Sequence, residues 1–82
     1  MKYSIEFKPR AEKDFRDLGS HLQQRIGSKI AGLKEGLSGD VKKLTNHAPQ
    51  YRLRVGVYRV LFQVAKDAVI VFRVVHRREA YR

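Results

Sequence analysis

Three segments near the end of the chain, 51–55 (YRLRV), 58–65 (YRVLFQVA) and 68–76 (AVIVFRVVH), are separated by only two residues each. All three are rich in β-branched and aromatic side chains, which suit a pleated, half-buried surface. A parallel crossover needs about a dozen residues or more, so joints this short connect antiparallel neighbours. Gly56 marks the first turn and Lys66–Asp67 the second. Residues 51–76 are therefore expected to form a three-stranded meander. The last segment is apolar on both faces in its first half, which places it inside a sheet rather than at an edge.

The first half of the chain has to cover one face of that sheet. In KYSIEF (2–7), Tyr3, Ile5 and Phe7 alternate with Lys2, Ser4 and Glu6, the period of a strand. Pro9 suits the first turn of a helix, where its missing N–H has no intrahelical partner. Ala11, Phe15 and Leu18 follow as one apolar stripe. Gly19 is expected to end this helix in the left-handed conformation. Ser20 and Gln23 have the spacing of a capping box that starts a second helix. Leu22, Ile26, Ile30, Leu33 and Leu37 mark its buried side. Gly27 and Gly32 cost helix stability, about 1 kcal/mol each relative to alanine, so close packing on another element is expected to compensate. Gly36 and Gly39 bring the helix to its end.

Residues 41–50 (VKKLTNHAPQ) lose all periodicity and read as a basic loop. The element order is β-α-α-β-β-β. It implies one α+β domain over residues 1–82, a small, mostly antiparallel four-stranded sheet with a helical hairpin on one face.

Eighteen Lys and Arg stand against eight Asp and Glu, for a net charge of +10. The last 32 residues hold eight of these basic residues and two of the acidic ones. A pI of about 10.4 is in the range of nucleic-acid binders, although an acidic protein partner or simple solubility is also served by such charge. Without cysteine there is neither a disulfide nor a thiolate metal site. No apolar run has membrane-spanning length and the first residues lack a signal-peptide pattern, so a soluble cytoplasmic protein with no membrane partner is expected.

The strand periods put Arg52 and Arg54 on the face opposite Tyr51, Leu53 and Val55. They put Arg59 opposite Tyr58, Val60, Phe62 and Val64. If the apolar faces match, Arg52, Arg54 and Arg59 emerge together. Like charges on neighbouring strands repel, so the arrangement has either a solvated face or a bound anion as its reason. The ending HRREAYR adds His76, Arg77, Arg78, Tyr81 and Arg82, a set able to hold a phosphate and stack a base, or else a frayed basic tail. Lys42, Lys43 and His47 of the basic loop are further candidates for contacting a nucleic acid (RNA, on the resemblance given below), with a surface loop as the plain reading of His47. Tyr51 and Tyr58 share the apolar face and read as core. The eight acids are scattered and make no divalent-metal site, and no phosphate-binding glycine loop occurs; no cofactor is implied.

Taken together, YRLRVGVYRVLFQV (51–64) and HRREAY (76–81) resemble the RelE/ParE superfamily of toxins from toxin–antitoxin pairs, and the likeness extends over nearly the whole chain. The resemblance implies a RelE-like, microbial-RNase-like fold with a concave basic surface opposite the helices. RelE-type members cleave messenger RNA in the ribosomal decoding site; ParE-type members share the fold and poison DNA gyrase. By motif, Arg52 and Arg54 match two basic positions that are lysines in other RelE enzymes. Arg59 matches the arginine of the Y-R pair that contacts the scissile phosphate, Arg77 the basic residue after the last strand, and Tyr81 the tyrosine that positions the nucleotide. The presence of both Arg77 and Tyr81 favours the RelE branch. Val57 stands where many relatives have an acidic residue. The sequence ends at Arg82, without the short C-terminal helix of some RelE enzymes.

The implied reaction is a metal-independent transesterification in which the ribose 2′-OH attacks the adjacent phosphorus. Arginine effectively cannot give up its proton, so the arginines serve charge stabilisation. His76, its neutral form favoured by the neighbouring Arg77 and Arg78, is the expected proton-transfer residue, with the ribosome or the substrate as the alternative. The implied partners are a cognate RelB-like antitoxin in a hetero-oligomer, the ribosome and mRNA. A gyrase inhibitor of ParE type and an inactive RNA-binding relative are the alternatives.

Overall fold

A computed structural model describes residues 2–80. The chain runs β1 (Ser4–Phe7), α1 (Pro9–Arg16), α2 (Ser20–Gly32), a 3₁₀ turn (Leu33–Glu35), β2 (Val41–Lys43), β3 (Tyr51–Val55), β4 (Tyr58–Ala65) and β5 (Ala68–His76). The sheet has the order β1-β5-β4-β3-β2. β1 pairs in parallel with the first half of β5, and the remaining pairs are antiparallel. The meander has the boundaries its spacing predicts, and β5 lies inside the sheet.

The sheet has five strands, one more than the four expected. Val41–Lys43 was expected to be part of a loop and instead pairs with the outer edge of β3, Lys42 opposite Arg52 and Lys43 opposite Tyr51. Three residues are too few to show a period, so this strand exists because β3 has backbone groups left to pair.

α1 begins at Pro9 as expected. The junction of the helices differs from the expected capping box. Gly19 is extended (φ −64°, ψ 157°) and is itself the N-cap of α2, without a side-chain cap. The Gln23 side chain instead donates to the carbonyls of Phe15, Arg16 and Leu18 at 3.0–3.2 Å. These carbonyls end α1, where intrahelical donors run out, and that of Phe15 also accepts the Leu18 N–H at 3.1 Å. Gln23 thus caps the preceding helix rather than its own. At Gly27 a Cβ would lie 3.3 Å from Phe15 Cζ, the close approach that explains a glycine inside a helix.

Ala11 of α1 and Ile26, Ile30 and Leu33 of the α2 region pack on Leu53, Val60, Phe62, Val69 and Val71 of the sheet. Tyr51 stacks on Phe62 at 5.4 Å, in the core position expected. One irregularity matters for the site. Leu61 faces Arg73 while Phe62 faces Val71, so β5 carries one extra residue there, a β-bulge. Asp14 of α1 holds this bulge. Its carboxylate accepts the Val74 N–H at 3.0 Å and two bonds from Arg73, at 2.7 and 3.3 Å.

Candidate anion-binding cleft

The sheet face away from the helices carries the arginines. Arg54 stands directly opposite Arg59, and Arg52 opposite Leu61. Lys42 joins the same face through its pairing with Arg52. Lys42, Leu44, Thr45, His47, Arg52, Arg54 and Arg59 line an open cleft of about 450 Å³. Five of these seven side chains are basic, which suits the cleft to an anion rather than a cation.

The guanidinium groups are held in different ways. Arg59 Nη1 donates to the carbonyls of Gly56 and Tyr58 at 3.0 and 2.9 Å, which ties it to the β3–β4 turn. Gly56 takes φ +59° there, a conformation that favours glycine. Arg52 Nη1 donates to the backbone carbonyl of Asp40 at 2.8 Å and to its Oδ1 at 3.0 Å. Arg54 Nε lies 3.9 Å from Asp40 Oδ2 and is the more exposed of the two. The hydrogen bond from Arg52, reinforced by the charges of Arg52, Arg54 and Arg59, holds the Asp40 carboxyl below its ordinary value against the opposing effect of desolvation. Sequence reasoning passed over Asp40; its one signal is an isolated acid immediately before a basic run.

His47 sits in the cleft wall, and its Nδ1 lies 2.9 Å from the Pro49 carbonyl oxygen. A carbonyl only accepts, so Nδ1 carries the proton and Nε2 is the basic nitrogen of the neutral ring.

His76 is placed elsewhere. It pairs with Tyr58, its ring 5.8 Å from the Tyr58 ring, and Tyr58 packs on the core beneath the helices. It therefore lies on the opposite face from the arginines. The reason is the bulge at Phe72, which inverts the alternation of β5. Val69 and Val71 are in the main core, as is Val74, whereas Val75 lies with Leu61 on the arginine face. Lys43, opposite Tyr51, also falls on the helix side of the sheet.

Arg77 and Arg78 are exposed in a turn after β5. The Arg77 N–H bonds the Val57 carbonyl at 2.7 Å, and the Arg78 N–H bonds His76 Nδ1 at 3.2 Å. The turn ends at Ala80, which is buried against Leu61 and Val75 on the arginine face. Tyr81 and Arg82 lie outside the described residues. Among the described residues no group of three or more His, Asp or Glu is placed to hold a metal ion, and no helix is long and apolar enough to cross a membrane.

The sequence model of the ParE toxin of the type II toxin–antitoxin system parDE matches residues 5–81. Toxin RelE3 of Methanocaldococcus jannaschii is 34% identical over 74 residues, 84% of each chain. The mRNA interferase toxin RelE of Escherichia coli is 33% identical over 74 residues, 88% of this chain and 78% of that one. Among solved structures, the RelB–RelE antitoxin–toxin complex of Methanococcus jannaschii superposes with a TM-score of 0.74 at 31% identity, over 89% of this chain and 91% of the other. The isolated E. coli RelE toxin superposes with a TM-score of 0.78 at 28% identity, over 90% and 83% of the two chains.

Proposed function

Since this chain belongs to the RelE/ParE superfamily of type II toxin–antitoxin toxins, we propose that it is an endoribonuclease that cleaves mRNA presented by the ribosome. The observation that carries this reading is the shared face of Arg52, Arg54 and Arg59 in a cleft that also holds Lys42 and His47. The substrate is a phosphodiester of single-stranded RNA, and the reaction an attack of the ribose 2′-OH on the adjacent phosphorus. It leaves a 2′,3′-cyclic phosphate and a 5′-hydroxyl. Negative charge grows on the phosphoryl oxygens in the transition state, where fixed guanidinium groups are most effective. Arg59 is the main contributor, because the turn carbonyls already orient it. Arg54 faces it across the strand pair, and Arg77 adds charge from the turn beyond β5.

Proton transfer falls to His47 in place of His76. His47 is in the cleft wall with its tautomer set by Pro49, whereas His76 is across the sheet with Tyr58. No step of this reaction uses a metal. The RelB antitoxin that pairs with RelE in the solved archaeal complex is the natural inhibitor of such an activity, and a cognate antitoxin is the expected partner here.

The test is incubation with programmed ribosomes and mapping of the 5′-hydroxyl ends, with Arg59→Ala in parallel. Absence of cleavage by the natural sequence sinks the reading. The ParE description of the matching family favours one other target, DNA gyrase. Inhibition of gyrase supercoiling without message cleavage would establish that reading instead.

A further inference from the structure

Two arginines of the cleft already hold an anion. Asp40 follows Gly39, whose φ of +102° turns the chain, and its backbone carbonyl is fixed from two sides. It accepts the Arg54 N–H at 2.9 Å and Arg52 Nη1 at 2.8 Å. The carboxylate hangs from this fixed backbone and reaches both Arg52, at 3.0 Å, and Arg54, at 3.9 Å. Arg52 has 15% of its side chain exposed, whereas that of Asp40 is 55% exposed. A rotation about the Asp40 side-chain bonds therefore moves its charge into solvent at the small cost of a partly exposed ion pair and leaves the backbone in place.

We propose that Asp40 is a resident counter-anion that RNA phosphate must displace from Arg52 and Arg54, so that the cleft holds loose RNA weakly. This rests on the RNA reading above and adds a threshold to it. A bound carboxylate relieves the repulsion of three neighbouring arginines in the free protein. It also makes each encounter with RNA an exchange of anions rather than a simple gain. RNA held in place by another assembly meets the high local concentration needed for that exchange; free RNA does not.

The experiment measures binding of a short, fully 2′-O-methylated oligoribonucleotide, which cannot be cleaved, by fluorescence anisotropy. Asp40→Asn is expected to tighten binding about fivefold, the scale of one partly exposed ion pair. Asp17→Asn makes the same change in net charge on α1, where Asp17 is paired with Lys13. It is expected to change binding by about twofold or less, because distant exposed charges are screened. In an Arg52→Ala background the gain from Asp40→Asn should shrink toward that of the control. Unchanged or weaker binding by Asp40→Asn, or an equal gain from Asp17→Asn, overturns the proposal. If neither the natural sequence nor any variant binds the oligonucleotide at low salt, the RNA reading fails. The exchange is then read with inorganic pyrophosphate through the NMR signals of the Arg52 and Arg54 Nε–H groups. Equal pyrophosphate affinity in the natural protein and Asp40→Asn would sink the Asp40 role as well.

Discussion

The carboxylate of Asp14 in α1 accepts the backbone N–H of Val74 in β5 at 3.0 Å, with Arg73 bound to the same group. This contact joins a helix to the bulge of the sheet. It occupies the backbone donor at the bulge and so stabilises the inverted alternation that follows. Through it, Val75 faces the arginines and His76 the helices.

Asp14→Ala is therefore expected to destabilise the fold by about 2 kcal/mol, since it leaves the Val74 N–H and the Arg73 guanidinium without their shared acceptor. Urea denaturation checks this. A midpoint equal to that of the natural sequence would show that the bulge holds itself.

Arg59→Ala is expected to lower single-turnover cleavage on programmed ribosomes by about 10²–10³-fold, by analogy with loss of one oxyanion donor. Arg59→Lys should recover only part of the rate, because an ammonium cannot bond the two turn carbonyls and a phosphate with the geometry of a guanidinium. Circular dichroism of the same preparations shows whether the fold is retained.

His47→Gln and His76→Gln separate the two histidines. The first should slow cleavage about 10²-fold or more and flatten the pH–rate profile on its acidic side, the signature of a lost general base. The second should leave both the rate and the profile close to those of the natural sequence. The reverse result would return proton transfer to His76.

Stability against acid has a predictable component in α1. Lys13 Nζ bonds Asp17 Oδ2 at 2.8 Å, and this hydrogen bond, then the charge of Lys13, lowers the Asp17 carboxyl below its ordinary 3.8. A depressed folded value means stabilisation that is complete above 3.8 and is lost as the pH falls through the lower folded value. Asp17→Asn should remove that acid-side loss while leaving the neutral-pH midpoint nearly unchanged, because the pair is exposed. Thermal midpoints between about pH 2 and 7 read the difference.

Several features were legible because they are local. Two-residue joints admit only hairpins, and the period of two puts Arg52, Arg54 and Arg59 on one face. The meander boundaries and that shared face follow from these rules alone. Pro9 at the start of α1 and close packing at Gly27 follow equally from backbone and packing constraints, although the identity of the neighbour, Phe15, came only from the fold. Gln23 shows the limit of such motifs. Its spacing from Ser20 fits a capping box, in which its side-chain oxygen accepts a backbone N–H, but once the hairpin closes its amide N–H instead donates to the carbonyls ending α1.

What the amino-acid sequence determined by itself was the α+β class, the meander and a basic face able to hold an anion. Only the tertiary structure decided that Val41–Lys43 adds a fifth strand, that Asp40 already occupies the arginines, and that His47 rather than His76 stands beside them. Each of these depends on partners distant in the chain. A three-residue strand has no period of its own, a rim carboxylate reaches its arginines only across a strand pair, and the single extra residue Phe72, next to the Arg73 and Val74 that Asp14 binds, reverses every side chain after it.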